Sequence, residues 1–263
     1  MLLAIDVGNT NVVFALYKDG ELQCQWRAAT QAPRTADEYA VWLTQLMALK
    51  NISATDITDA IIATVVPRAL FDLRTLCRTY FDIDPVVVGE SAELGIGVLI
   101  DKPEDVGADR LVNAVAAHMT YDGPLIILDF GTATTFDVVD GDGNYRGGVI
   151  SPGINLSLEA LHMAAAKLPH IAVARPEHAI GRGTTEAMQS GVYWGYIGLI
   201  EGLVKRISDE LKSETGDPRE ATVVSTGGLA PLFATGTDII QHIDPDLTMR
   251  GLVAIHRRSR QIS

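Results

Sequence analysis

The stretch Leu2-Leu3-Ala4-Ile5-Asp6-Val7-Gly8-Asn9-Thr10-Asn11-Val12-Val13-Phe14-Ala15-Leu16-Tyr17-Lys18-Asp19-Gly20 lays out a plan that returns later in the chain. An apolar run ends at Asp6, the link Gly8-Asn9-Thr10-Asn11 follows, a second apolar run covers Val12 to Tyr17, and Lys18-Asp19-Gly20 closes it. Residues 125–144 repeat the order: Leu125 to Leu128, Asp129, Gly131-Thr132-Ala133-Thr134-Thr135, Phe136 to Val139, then the turn Asp140 to Asn144. β-Branched and apolar runs on both sides of an Asp/Gly-rich link predict a β-hairpin in each segment. The recurrence predicts two related domains.

Outward from the first hairpin, the pattern predicts a helix at about Ala36 to Ala48, a strand at Ala60 to Val66, a helix opening at Pro67 and a strand at Pro85 to Val88. After the second hairpin come a helix at Asn155 to Ala166, a long helix from about Thr185 to Leu211, a strand at Thr222 to Ser225 and a closing segment rich in Asp and Pro. Strands alternating with helices imply α/β architecture. Two domains are expected, residues 1–120 and 121–263.

The length of 263 residues fits two domains. With 21 basic against 33 acidic residues the formal charge is −12, the wrong sign for a general nucleic-acid surface. The start Met1 to Asp6 lacks a basic n-region, and uncharged runs such as Ala187 to Ile200 are too short for a bilayer, so neither secretion nor a membrane span is expected. Cys24 and Cys77 stand far apart without a CxxC, which points to reduced thiols in a cytoplasmic protein.

Two nucleotide-binding classes fall away on spacing. None of the lysines follows a glycine, so there is no Walker A loop. The pairs Gly95/Gly97, Gly141/Gly143 and Gly181/Gly183 are followed by Ile100, Arg146 and Glu186 where a dinucleotide fingerprint needs glycine. The paired links after Asp6 and Asp129 suit phosphate by another route. Glycine lets backbone N–H groups approach phosphate oxygens, Thr and Asn add donors, and the Asp can hold a cation. One such loop would be an ordinary turn; two at corresponding places in a repeat favour function.

These loops, with Ser225-Thr226-Gly227-Gly228 after a late strand, resemble the phosphate and adenosine motifs of the acetate and sugar kinase, Hsc70 and actin superfamily. That resemblance implies two RNase H-like (actin-like ATPase) domains with an ATP cleft between them. Within the superfamily, Asp6 to Asn11, Val106-Gly107-Ala108-Asp109-Arg110, Asp129 to Thr135 and Gly147-Gly148-Val149-Ile150-Ser151-Pro152-Gly153 resemble type III pantothenate kinase in order and approximate spacing. The likeness runs from Asp6 to Gly227-Gly228 and on through Asp244-Pro245-Asp246 to Gly251.

The resemblance implies transfer of the ATP γ-phosphoryl group to the primary alcohol of pantothenate, the first step toward coenzyme A. Such transfer depends mainly on charge neutralisation and alignment. It implies ATP contacts from Asp6, Val7, Gly8, Asn9, Thr10, Asn11, Val12, Val13 and Thr132, with Asp6 holding Mg²⁺ directly or through water. Asp109 is expected as the base that orients the alcohol and accepts its proton, and Arg110 as the cation beside it. From sequence alone, Asp109-Arg110 also reads as a helix-start pair, with Asp near a helix N-terminus. The resemblance further implies pantothenate contacts from Gly107, Ala108, Asp109, Arg110 and Thr184, and a monovalent cation, K⁺ or NH₄⁺, held by Asp129. Thr184 reads equally as the N-cap of the helix after it. Many members carry Tyr near the position of Ile100, so a substrate-facing hydroxyl is absent here.

A regulatory relative acting through a protein partner would have no need of Asp6, Asp109 and Asp129 together. A different acceptor alcohol is disfavoured by Val106 to Arg110. The histidines show no metal-ligand spacing, Trp26, Trp42 and Trp194 form no stacking platform, and the basic end His256-Arg257-Arg258-Ser259-Arg260 reads as a solvated terminus. Gly191, Gly195, Gly198 and Gly202 line one face of the long helix. Either a subunit contact or the chain's own sheet could compensate them, and the resemblance implies a homodimer built largely from the second domain.

Overall fold

The computed structural model describes residues 1–30, 34–164 and 168–262. It divides into two compact units, one of Met1–Ile96, Asp101–Ala116 and Leu247–Ser263, the other of Gly97–Ile100 and Ala117–Asp246.

The first unit is built on a sheet of β1 (Leu2–Val7), β2 (Asn11–Lys18), β3 (Glu21–Ala29), β4 (Asp59–Thr64) and β5 (Val86–Val87), in the order β3-β2-β1-β4-β5. The β1-β2 and β2-β3 pairs are antiparallel; β4 is parallel to β1 and β5 to β4. The link between β2 and β3 places Asp19 and Gly20 at φ of 53° and 86°, both left-handed as a tight hairpin turn matching strand twist requires. Helix α1 (Ala36–Ala48) starts in a capping box in which Thr35 N–H donates to Glu38 Oε2 at 2.8 Å. Pro67 opens α2 (Pro67–Phe81), and the left-handed Asp82 ends it.

β1 and β2 are covered on both faces, which is why their sequences are almost continuously apolar. Leu3, Ile5, Val7, Phe14 and Leu16 pack with Leu43, Met47, Leu73 and Leu76 of α1 and α2. Ala4, Val13, Ala15 and Ala63 face Val112 and Val115 of α3 (Ala108–Thr120) and Leu252, Val253 and Ile255 of α7 (Leu247–Ile262). Helix α7 corrects two expectations: it belongs to the first unit, not to a domain running 121–263, and its basic end is no solvated terminus. His256 and Ser259 are buried, Arg257 donates to the Asp19 carbonyl at 3.4 Å, Arg258 to the Leu94 carbonyl at 3.3 Å, and Arg260 pairs with Asp59. The physical reason is close packing: a Cβ on Gly251 would stand 2.3 Å from the Val112 carbonyl oxygen, so α7 meets α3 backbone to backbone. The border between units also falls inside α3, at Ala116, earlier than the expected 120.

In the second unit β6 (Leu125–Phe130), β7 (Ala133–Val139), β8 (Tyr145–Pro152), β9 (Thr222–Gly227) and β10 (His242–Ile243) stand in the order β10-β9-β6-β7-β8, the topology of the first sheet. Pairings repeat as well, antiparallel for β6-β7-β8 and parallel for β6-β9-β10. Each expected hairpin is thus extended by a third strand. β3 is an edge strand in which exposed Glu21, Gln23, Gln25 and Arg27 alternate with Leu22, Cys24, Trp26 and Ala28, so it lacks the continuous apolar run that marks β1 and β2. Helix α4 spans Ile154–Ala164; Ala165 and Ala166, the end of the expected helix, lie outside the described residues. Helix α5 (Thr184–Thr215) lays Tyr193, Tyr196, Ile197 and Ile200 against Ile126, Leu128, Phe136 and, from the short α6 (Ala230–Ala234), Phe233.

The glycines of α5 point away from that core. Gly191, Gly195 and Gly198 are exposed, and a Cβ on any of them would meet nothing within 4 Å; on Gly202 it would meet only Arg206 Nη1 at 3.2 Å. Packing of the stripe on the chain's own sheet is therefore excluded. Thr184 is the first helical residue and Gly183 the N-cap, without a side-chain capping bond, so Thr184 is no cap. Among the described residues no helix is long and apolar enough to cross a membrane.

Candidate active site

Asp6 and Asp129 occupy the same place in their sheets. Asp6 on β1 lies between Val13 of β2 and Ala63 of β4, and Asp129 on β6 between Thr135 of β7 and Thr226 of β9. Each is followed by a loop opened by glycine, three residues at Gly8-Asn9-Thr10 and two at Gly131-Thr132, closed by Gly8 N–H to Asn11 O at 2.9 Å and Gly131 N–H to Ala133 O at 3.0 Å. Neither glycine has positive φ, and a Cβ on either would have its nearest neighbour at 3.5 Å, an ordinary contact. The chain itself does not demand glycine there, whereas a phosphate approaching the backbone does.

The loops are held from behind. Thr30, at the end of β3, donates its hydroxyl to the Gly8 carbonyl at 2.8 Å and its N–H to the Thr10 carbonyl at 3.0 Å. Gly153 donates its N–H to the Thr132 carbonyl at 3.2 Å. A Cβ on Gly153 would stand 2.2 Å from that oxygen, and one on Gly227, at φ 89°, would stand 2.6 Å from the Phe130 carbonyl oxygen. Thus the Gly147–Gly153 and Thr226-Gly227 motifs supply glycines that let backbone close on the second loop. Thr30 carries no motif and was not legible in the sequence. Asn9, Thr10, Asn11 and Thr132 are exposed, but Val7, Val12 and Val13 are buried core residues, so only their backbone could face a nucleotide.

Asp109 stands in the first turn of α3. Its Oδ1 accepts the Arg110 backbone N–H at 2.8 Å, so the helix-start reading holds as well. Burial pushes the carboxyl above the ordinary aspartate range, against the lowering influence of Arg110 through its backbone N–H and its charge. A Cβ on Gly107 would be 2.7 Å from Asp109 Oδ1 and 3.3 Å from Val65 Cγ1, so glycine makes the room into which the carboxylate folds. A half-buried carboxylate of raised basicity at a helix start suits a proton acceptor. Ala108 is buried in the core below it.

In the second unit Ile100 lies 3.5 Å, through Cγ2, from where a Gly147 Cβ would be. Thr184 is exposed at the start of α5, which is wrapped by Arg182 N–H to Glu186 Oε2 at 2.8 Å and by Ser190 Oγ to the Ala179 carbonyl at 2.5 Å. Among the described residues no three His, Cys, Asp or Glu side chains gather as a metal cluster. A single carboxylate with water and substrate phosphates is, however, a common magnesium environment, and Asp6 fits it. Asp129 has threonines, Thr135 and Thr226, as its register partners on both neighbouring strands.

Two sheets of one topology, each with an Asp-and-glycine loop after its central strand, define the two-domain fold of actin-like ATPases and sugar kinases. Solved structures agree on the fold: a Campylobacter jejuni protein provisionally described as a Baf family transcriptional activator matches with TM-score 0.62 at 19% identity over 98% of this chain and 99% of its own. A Sinorhizobium meliloti protein provisionally described as a 2-dehydro-3-deoxygalactonokinase matches with TM-score 0.58 at 14% identity, over 98% and 96%. The chain belongs to the type III pantothenate kinase family, whose model matches residues 2–206. It is 63% identical over 260 residues to the type III pantothenate kinase of Paramagnetospirillum magneticum, covering 98% of each chain, and 63% identical over 261 residues to that of Rhodospirillum rubrum, covering 99% of each.

Proposed function

We propose that the chain transfers the γ-phosphoryl group of ATP to the primary alcohol of pantothenate, giving 4′-phosphopantothenate for coenzyme A synthesis. The observation that carries this reading is the doubled loop: two glycines that the fold does not require, each two residues beyond a carboxylate at the same register position. The family membership supplies the acceptor.

In this reading Asp6 to Val13 and Thr132 bind ATP, the valines through backbone groups. Gly107, Asp109, Arg110, Thr184 and Ile100 are assigned to pantothenate, and Ala108 through its backbone alone. Asp109 orients the acceptor hydroxyl and takes its proton late, as the oxygen–phosphorus bond forms and the bond to the ADP oxygen breaks. Its raised basicity suits that step, and Arg110 offers charge to the substrate carboxylate or the transferring group. Asp6 would hold Mg²⁺, which offsets phosphate charge when bound. Asp129, with Thr135 and Thr226 beside it, would hold K⁺ or NH₄⁺, which offsets charge at the second loop.

We further propose a homodimer joined through the exposed glycine face of α5, because four helix-weakening residues on a surface otherwise lack compensation. Cys24 and Cys77 are free thiols, in keeping with a cytoplasmic location, and we place neither nucleic acid nor membrane among the partners. An ADP-release assay over pantothenate, pantetheine and simple sugars, with and without K⁺, tests the function. Release is expected with pantothenate and K⁺; turnover of a sugar in its place would overturn the acceptor.

A further inference from the structure

We infer that Tyr196 is a positioning residue for the second phosphate loop, an inference that rests on reading Gly131-Thr132 as phosphate-binding. Tyr196 is buried on α5, and its hydroxyl lies 2.9 Å from the Pro152 carbonyl oxygen and 2.5 Å from Thr134 Oγ1. A carbonyl can only accept, so the phenolic hydrogen goes to Pro152 and the Thr134 hydroxyl donates to the Tyr196 oxygen. The two partners flank the loop. Thr134 lies two residues after Thr132, and Pro152 directly precedes Gly153, whose N–H holds the Thr132 carbonyl. One phenol therefore fixes the strand that leaves the loop and the strand that supports it.

Both bonds lie where water does not compete, Thr134 and Tyr196 being 1% and 6% exposed. Loss of the hydroxyl leaves the Pro152 oxygen and the Thr134 hydroxyl short of a partner and free to pull the loop toward another arrangement. In the first unit Thr30 holds the corresponding loop from the edge strand. The second loop has no such threonine on β8, and the bracing comes from a helix instead.

Tyr196→Phe in the full-length enzyme tests this, with steady-state kinetics, calorimetric binding of the non-hydrolysable analogue AMPPNP, and thermal melting. The expected result is a rise of about tenfold in the KM for ATP and the Kd for AMPPNP, equivalent to one partly lost buried hydrogen bond, with the KM for pantothenate changed less than about twofold. Thr134→Val should reproduce the effect from the other side of the bond, and the double variant should be no worse than the worse single one. Tyr193→Phe serves as the matched control, since its buried hydroxyl on the same helix reaches the Leu232 carbonyl and not the loop; it should lower the melting temperature and leave both KM values alone. Unchanged nucleotide affinity in folded Tyr196→Phe, an equal rise in both KM values, or the same shift in Tyr193→Phe overturns the inference. If Tyr196→Phe fails to fold, Thr134→Val decides by the same criteria. Thr132→Val separates the two levels. Weakened ATP use there with normal Tyr196→Phe sinks only the positioning role, and normal ATP use in Thr132→Val sinks the loop reading with it.

Discussion

The N–H of Gly153 holds the carbonyl oxygen of Thr132 at 3.2 Å, and a methyl group on Gly153 would stand 2.2 Å from that same oxygen. A hydrogen bond and an excluded side chain thus fix one position to glycine.

Gly153→Ala is expected to displace the second loop, costing about 1–3 kcal/mol of stability by overpacking and raising the KM for ATP more than that for pantothenate. Gly8→Ala is the informative contrast, because its Cβ fits the chain and would obstruct only an approaching phosphate. It should weaken ATP binding at nearly wild-type melting temperature. Calorimetry on both variants checks the pair.

Asp109→Asn should retain the fold and nucleotide binding while turnover falls by about two to four orders of magnitude, the usual contribution of a positioned base. The raised carboxyl value adds two expectations. The acid limb of kcat/KM should lie above the ordinary aspartate value of about 3.9, since protonation removes the base. Because the folded state holds this proton more tightly than the unfolded chain, ionised Asp109 lowers stability as pH rises through the raised value. Asp109→Asn should therefore melt no lower than wild type at neutral pH, and higher if no other contact is lost. A variant that is both fully active and folded would remove Asp109 from the mechanism.

Replacement of K⁺ and NH₄⁺ by Na⁺ or a bulky organic cation should abolish most activity, and Asp129→Asn should weaken ATP use and cation dependence together. Equal rates in K⁺ and in the organic cation would discard Asp129 as a cation ligand.

Leu252, fully buried in α7, joins the last helix to the first sheet. Leu252→Ala should cost about 2–5 kcal/mol, read as a shifted denaturant midpoint. A loss under half a kilocalorie would mean that α7 contributes little to the first unit.

Gly195→Leu places a large side chain on the exposed face of α5, where nothing in its own chain resists it. If this face joins two subunits, light scattering should report weakened association, and pantothenate affinity should fall with it. A variant that stays dimeric with unchanged affinity would move the subunit contact elsewhere.

Much of the local structure was written in the residues themselves. Pro67 marks the start of α2, and the alternation of apolar runs with Asp/Gly links marks β1, β2, β6 and β7; these signals act over a few residues. The repeat of Asp6 and Asp129 located both loops, and the motif around Asp109 marks the start of α3, where the proposed base stands. Other features lay beyond local reach. Nothing near Leu247 says that α7 crosses to the first sheet; that follows from the small Ala4, Ala15 and Ala63 face and from Gly251 meeting the Val112 backbone, partners far apart in sequence. The outward face of the α5 glycines, the brace from Thr30 and the bridge from Tyr196 to Thr134 and Pro152 were likewise undecidable from sequence. A side chain's hydrogen-bond partner is set by which backbone the packed core brings within about 3 Å, and only tertiary structure determines that distance.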